Sequence, residues 1–162
     1  AQDAYEAALE QEYQRFAYQF DLEDASLTDE TRQAALDLLS QVCAQAQYTV
    51  QEAVPLDDAR YAVEVSVRPM DLFLQVEEDL LPAYQEAFAA RYAEADLSDP
   101  AARAAYEDDW ARGIVDLCES RLGLLNYQDV VSILVLVAPD DDGLYSMSGT
   151  DFADLSALIL PY

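Results

Sequence analysis

The sequence predicts one α+β domain, residues 1–162, in which a four-stranded antiparallel sheet packs with helices. Its length of 162 residues and mass of 18.0 kDa are typical of a single domain. Hydrophobic residues make up 52% of the chain, which separates it from disordered acidic tails. Apolar residues recur at helical spacing in some segments and alternate in others, in the order ααββααββα. Strand pairs separated by helix pairs favour the α+β class.

The first two helices are predicted from apolar residues three or four positions apart. One helix extends from Ala1 to about Phe20, and residues 21–27 form an acidic connection. Thr28 is the expected N-cap of the second helix, because its hydroxyl can accept a hydrogen bond from a free amide of the first turn. This second helix is expected to end near Ala46.

Two neighbouring segments show the alternation of half-buried strands. Residues 48–55 form the first, and residues 61–68 form the clearest strand of the chain, with Tyr61 and three valines on one face. Its other face carries polar side chains, so one face is expected to be buried and the other polar. The short loop between the two strands predicts an antiparallel hairpin.

The third and fourth helices follow. Pro69 suits the first turn of a long third helix that extends to Tyr92, and Pro82 should kink or split that helix because it lacks a backbone donor. Asp99-Pro100 has the form of a cap and first helical residue of the fourth helix. Gly123 is expected to end it.

The last elements are two strands and a helix. Residues 130–138 are apolar on both faces, which indicates a central strand. A turn at residues 139–143 and a strand at residues 144–148 complete a second hairpin. Thr150 is the expected cap of a short helix that ends near Leu158.

Composition removes most catalytic chemistry. The chain has no histidine, and all eight of its basic residues are arginine, so Ser-His-Asp triads, Schiff-base lysines and Walker A lysines are excluded. The four glycines are isolated and cannot form a phosphate-binding loop. No catalytic residue, metal ligand or cofactor is therefore assigned, and a non-enzymatic role is favoured.

The net charge of −25 limits the partners. It repels nucleic-acid phosphates and anionic membrane surfaces. Two roles use the charge: solubility at an extracellular surface, and an acidic decoy that binds a basic protein. A charge run is more often simply a solvated face.

Three acidic motifs are candidate sites. The run at residues 140–143 does not fit a calcium loop, because its glycine comes fourth rather than sixth, so a hairpin turn is expected. The carboxylate clusters at residues 77–79 and 107–109 would serve a carboxylate-dependent hydrolase if they converged. The alternative is a solvated helix surface.

The candidate ligand-binding residues lie on the polar face of the clearest strand. Glu64 and Arg68 share that face, and Thr49 and Gln51 are expected beside them. If no helix covers the face, it offers a shallow polar surface to a ligand or partner; if helices cover it, Glu64 and Arg68 are expected to form an ion pair at its rim. Several tyrosines suit either a core with a polar tip or a binding surface: Tyr13, Tyr84, Tyr92, Tyr106 and Tyr127.

Three observations concern the compartment. Cys43 and Cys118 are the only cysteines and lie on apolar helix stripes, where they are either buried free thiols or a disulfide formed in an oxidising compartment. The longest apolar run, residues 133–138, is far too short to span a bilayer. The chain begins at Ala1 without methionine, as expected if an export signal has been removed.

The order of motifs resembles the extracellular domains of lipoproteins of unknown function from Gram-positive gut bacteria. The likeness lies in the strand YAVEVSVRPMD at residues 61–71, the acidic helix after it, the helix at residues 110–122, the strand at residues 130–137 and the ending at residues 141–152. The resemblance implies a cell-surface domain with a lipid anchor upstream of Ala1, and it carries no functional residues. The leading hypothesis is therefore a non-enzymatic domain that binds a small ligand or a protein at the cell surface.

Overall fold

The computed structural model describes residues 2–162, with Gln2 by its backbone alone, and divides the chain into two compact units. The helical unit comprises Ala1–Gln45 and Leu72–Leu125, of which Ala1 lies outside the described residues. The sheet unit comprises Ala46–Asp71 and Asn126–Tyr162.

The helical unit contains five α-helices within its described residues. They are α1 (Gln2–Gln19), α2 (Asp29–Cys43), α3 (Leu72–Gln75), α4 (Leu81–Arg91) and α5 (Pro100–Arg121). Helix α2 packs against α1 and α5. Three phenylalanine rings meet in the core, with Phe16 4.9 Å from Phe20 and 5.5 Å from Phe73 between ring centroids. Apolar burial of this kind is the main source of folding free energy.

The expected break at Pro82 is confirmed and has a defined form. A π-helical turn, Val76–Leu80, separates α3 from α4, and Pro82 lies in the first turn of α4. The amide of Leu81 bonds to the carbonyl of Val76, five residues back. The wider turn removes the clash that a proline ring makes with the preceding helical turn.

Two predicted caps are confirmed and one helix end is corrected. The side chain of Thr28 accepts from the amide of Thr31, and that of Asp99 accepts from the amide of Ala102. Gly123 does not end α5 in a left-handed conformation. The helix ends at Arg121 and tightens into a 3₁₀ turn, Leu122–Leu124, which satisfies the last carbonyls without a positive φ.

The sheet unit contains five strands and one helix within its described residues. They are β1 (Gln47–Val50), β2 (Val54–Pro55), β3 (Tyr61–Arg68), β4 (Val131–Pro139), β5 (Tyr145–Met147) and α6 (Gly149–Ile159). The strand order is β1-β3-β4-β5, with β2 also paired to β3, and all pairs are antiparallel. The predicted first strand is thus two short strands, and both predicted hairpins are confirmed.

One face of this sheet is covered by α6 and the other is open. Val65, Val67 and Val135 are buried on the covered face, and they pack against Leu155, Leu158 and Ile159 of α6 among others. Alternate residues of β3 and β4 point to the other face, where Leu134 is 62% exposed. Strand β4 is central, as predicted, but its apolar side chains are not buried on both faces.

Two further boundaries differ from the prediction. Ser148, rather than Thr150, caps α6, because the Ser148 side chain accepts from the amide of Asp151. Pro69 precedes α3 by three residues, and its carbonyl accepts from the amide of Gln128. The α+β class itself, an antiparallel sheet packed with helices, is confirmed.

Candidate functional site

The open face of the sheet is divided into an apolar half and a polar half. In the apolar half Val54 pairs with Ala62, which pairs with Leu136. Leu134 follows on the same strand and pairs with Glu64, which lies between the two halves. In the polar half Thr49 pairs with Ser66, which pairs with Ser132; the adjoining row pairs Gln47 with Arg68. The pattern arises because β3 carries polar residues at alternate positions, whereas β4 is apolar on both faces for most of its length.

Arg68 lies at the polar end of this face without a carboxylate partner. Its guanidinium donates to the amide oxygen of Gln47 at 3.2 Å and lies 5.3 Å from the centre of the Tyr127 ring. Among the described residues no acidic side chain lies within 4.0 Å of it. Six of the other arginines do form such ion pairs. Arg68 is therefore an uncompensated positive charge in a chain of net charge −25.

A shallow depression of about 340 Å³ surrounds Arg68. It is lined by Ala46, Gln47, Tyr48, Thr49, Ser66, Arg68 and Val130. The hydroxyls of Ser66 and Ser132 are 2.8 Å apart on this face. Hydroxyls, an amide and a guanidinium together form a surface that hydrogen-bonds polar ligands.

The four predicted ligand-binding residues are only partly brought together. Thr49 and Arg68 line the depression, whereas Glu64 and Gln51 do not. The backbone N–H of Gln51 instead donates to the backbone carbonyl of Glu64 at 2.9 Å, just beyond the Val50–Val65 pair. Glu64 is four residues from Arg68 on an extended strand, about 13 Å away, which is too far for the ion pair considered in the sequence.

The two carboxylate clusters serve packing and capping. Glu77 accepts from the side chain of Gln19, and Asp79 pairs with Arg121 at 3.5 Å. In the second cluster, Glu107 accepts from the amide of Ser26 at 2.6 Å. The second cluster is therefore half-buried against the α1–α2 connection rather than fully solvated, and this part of the prediction is wrong.

Asp108 and Asp109 show how this second cluster is held. Asp108 accepts from the amide and hydroxyl of Thr28 at 2.7 and 2.9 Å. Burial disfavours its charged form, but hydrogen bonds from Thr28 and Thr31 outweigh burial and place the pKa of Asp108 below its usual range. Asp109 accepts from the hydroxyl of Tyr92 at 2.6 Å, and this hydrogen bond raises the pKa of Tyr92.

The acidic run at residues 140–143 is a hairpin turn, as expected. The side chain of Asp140 accepts from the amides of Asp142 and Leu144, and Gly143 has a φ of +77°, which suits glycine. Within residues 3–162, where side chains are described, no group of three or more acidic or cysteine side chains is arranged to hold a metal ion.

The two cysteines are free thiols in the structure. Cys118 is buried and Cys43 is half-buried. Burial raises the pKa of Cys43 to about 11 and raises that of Cys118 further still. Both thiols are therefore poor nucleophiles at neutral pH. The disulfide alternative stays a prediction that a thiol titration of unreduced, denatured protein would decide.

The helical unit contains a second concave site that was not predicted from the sequence. A cavity of about 420 Å³ is lined by Asp21, Ala25, Gln85, Phe88, Ala89, Tyr106, Glu107 and Trp110. The signal was present: aromatic residues four positions apart on two successive helices, α4 and α5, predict facing aromatic stripes. The sequence pattern leaves open whether the tyrosines among them belong to the core or to a binding surface, because it does not show which rings line a cavity.

Comparisons with known proteins support the fold. No protein-family model matches the chain, and no curated protein matches it in sequence. The chain is similar to a crystal structure of a putative lipoprotein, YcdA, from Bacillus subtilis, with a TM-score of 0.58 at 10% identity. The similarity covers 95% of this chain but 45% of that chain, so the present chain spans less than half of its length.

At that identity the similarity shows a shared fold. The relative is a lipoprotein candidate of a Gram-positive bacterium, which agrees with that part of the resemblance, whereas an origin in gut bacteria is not addressed. Within the described part of the chain, no helix combines the length and apolar character needed to cross a membrane.

Proposed function

We propose that this chain is the surface-exposed part of a lipid-anchored bacterial protein and acts as a non-enzymatic binding module. The fold shared with the lipoprotein candidate YcdA supports the proposed location at the cell surface. The absence of histidine and lysine from the sequence supports a role in binding rather than catalysis. We further propose that the 162 residues work as one domain.

The ligand binds the polar half of the open sheet face and presents a carboxylate to Arg68. The observation that carries this proposal is the uncompensated guanidinium of Arg68 beside Thr49 and Ser66 in a depression of about 340 Å³. Guanidinium and carboxylate pair through two parallel hydrogen bonds, which orients a ligand as well as holding it. The flanking hydroxyls suit a ligand that is rich in hydroxyl groups.

Two sugars that differ by one acidic substituent test this proposal. N-acetylmuramic acid carries a lactyl carboxylate that N-acetylglucosamine lacks. A ligand that binds the folded state raises the melting temperature according to its concentration relative to Kd. We expect the acidic sugar to raise the melting temperature and the neutral sugar to raise it far less.

Arg68→Gln should abolish the shift with the acidic sugar. Arg103→Gln is the matched control, because Arg103 also lacks a carboxylate partner among the described residues and bonds instead to the carbonyl of Leu97 at 3.1 Å. Both variants change the net charge equally. Equal shifts with the two sugars, no shift with either, or equal loss in the two variants would contradict the proposal.

A further inference from the structure

A cavity in the helical unit combines aromatic walls with an acidic rim. Phe88, Tyr106 and Trp110 line it from α4 and α5, and Asp21 and Glu107 lie at its edge. Its volume of about 420 Å³ is in the range of small-molecule sites. Nothing in the binding role proposed for the sheet unit uses these residues.

The aromatic walls are packed and preorganised. Phe88 is 3% exposed, and its ring centre lies 5.0 Å from that of Tyr106 and 5.1 Å from that of Trp110. Both neighbouring rings meet Phe88 edge to face. The guanidinium of Arg91 already lies over the Phe88 ring, 5.1 Å from its centre, so cation contacts with a ligand fall to Tyr106 and Trp110. Aromatic rings attract cations through the negative potential of their faces, and tryptophan is the strongest of the three.

Two carboxylates line the cavity and two more line an adjoining depression, and none of the four has a basic partner among the described residues. The adjoining depression, of about 250 Å³, shares Asp21 and Glu107 with the cavity and is also lined by Glu23 and Asp24. Among the described residues no arginine lies within 4.0 Å of any of the four. One oxygen of Glu107 accepts from the amide of Ser26, which leaves its other oxygen for a ligand.

Hydrogen bonds fix the acidic rim relative to the rings. The indole N–H of Trp110 donates to the carbonyl of Phe20 at 2.8 Å, immediately before Asp21. The bond from Ser26 to Glu107 joins the same connection to α5. The carboxylate of Glu107 and the ring of Trp110 are therefore held in place before a ligand arrives, which lowers the entropy cost of binding.

We propose that this cavity binds a small organic cation with an alkylated ammonium group. Such a group is apolar enough for the rings and positive enough for the rim, whereas a bare metal ion would need several oxygens at short range. In the part of the chain that the structure describes, acidic side chains are not arranged in that way. The charge of the rim and the chemistry of the walls point independently to the same ligand class.

Trp110 makes the test direct, because it is the single tryptophan of the sequence. The experiment titrates the folded protein with choline and, separately, with 3,3-dimethyl-1-butanol, a neutral molecule of nearly the same shape. We expect a saturable change in tryptophan fluorescence with choline, and binding of the neutral molecule weaker by about tenfold. No saturable change up to millimolar choline, or equal affinity for both molecules, would overturn the proposal.

Asp21→Asn tests the rim with little risk to folding. Asp21 has a φ of +59°, a conformation that asparagine also tolerates. We expect choline binding to weaken by about three- to tenfold. Glu94→Gln is the control, because Glu94 is exposed and lines neither the cavity nor the adjoining depression. Equal weakening in the two variants would mean that only net charge acts, and this would also overturn the proposal.

Discussion

In the helical unit the phenylalanines Phe16, Phe20 and Phe73 are buried in mutual contact, whereas in the sheet unit Leu134 is 62% exposed. Most of the exposed large hydrophobic side chains of the described residues belong to the sheet unit. Five of the six arginine ion pairs, by contrast, belong to the helical unit. In the helical unit the large side chains pack against one another, whereas the sheet unit leaves a strand surface open to solvent.

This difference indicates where each unit tolerates change. Truncating a side chain in a packed core loses both transfer free energy and contacts, whereas truncating an exposed one loses little. The exposed apolar side chains on the open sheet face do not contribute to a packed core, and exposed apolar faces often mark interaction sites. Four variants, taken from the largest expected effect to the smallest, test the comparison.

Phe88→Ala should have the largest effect. The Phe88 ring is 3% exposed and contacts Tyr84, Tyr92 and Trp110 as well as Tyr106. We expect a loss of about 3–5 kcal/mol in the free energy of unfolding, measured by urea denaturation. Tyr18→Ala, at an exposed position of the same unit, is the control. A loss of about 1 kcal/mol or less would contradict the packing described here.

The same variant tests whether the 162 residues unfold as one domain. If they do, Phe88→Ala lowers the hydrogen-exchange protection of Val65 in the sheet unit by the same free energy as that of Ile114 in the helical unit. If the units unfold separately, the amide of Val65 keeps its protection. The single domain stays a prediction until this measurement is made.

Gly113→Ala should have the second largest effect. A Cβ at Gly113 would overlap the hydroxyl and ring of Tyr84. That hydroxyl lies 3.2 Å from the carbonyl oxygen of Trp110, and burial raises the pKa of Tyr84 to about 12. We expect a loss of about 1–3 kcal/mol, because the tyrosine must leave its position.

A double variant and a control give this prediction its specificity. Tyr84→Ala removes the atoms that the new Cβ would meet, so Gly113→Ala should cost far less in that background. Gly123→Ala is the control, since no atom lies within 4 Å of a Cβ there and its φ is not positive. Additive effects of Gly113→Ala and Tyr84→Ala would contradict the overlap.

Asp108→Asn should have a smaller, pH-dependent effect. Because the pKa of Asp108 is lower in the folded than in the unfolded chain, its contribution is complete above the unfolded value of about 3.9 and is lost as the pH falls from there through the lower folded-state value. Its hydrogen bonds to Thr28 predict a loss of about 1 kcal/mol at pH 7 in the variant.

Urea midpoints measured from pH 7 to pH 3 check this sign. The stabilities of the wild type and Asp108→Asn should converge at the acid end, because protonated Asp108 and asparagine are both neutral. Glu94→Gln should differ little from the wild type throughout. A difference that stays constant with pH would show that the carboxylate charge of Asp108 does not matter.

The features of helices and strands that depend on neighbouring residues could be predicted from the sequence. The caps at Thr28 and Asp99, the break at Pro82 and the strand Tyr61–Arg68 each depend on residues close in the chain. The α+β class followed from their order. The cap at Ser148 was missed because Thr150, two residues later, offers the same chemistry.

The site was less readable because it depends on neighbours distant in sequence. Thr49 and Arg68 meet through the register of β1 on β3, which the sequence suggested, whereas Ser132 joins them from β4, more than sixty residues later. The alternating polarity of β3 indicated one buried and one polar face, and it left open whether helices cover the polar face. The apolar character of β4 pointed the other way, since sequence alone does not reveal that nothing covers Leu134.

Leu134→Ser should have the smallest effect and tests that last point. Leu134 and Val135 are consecutive on β4 and point to opposite faces, one 62% and the other 2% exposed. We expect Val135→Ala to lower the free energy of unfolding by about 2 kcal/mol. Leu134→Ser should change it by about 0.5 kcal/mol or less. If both variants cost the same, the face that carries Arg68 is covered in solution, and a ligand could not reach it without displacing that cover.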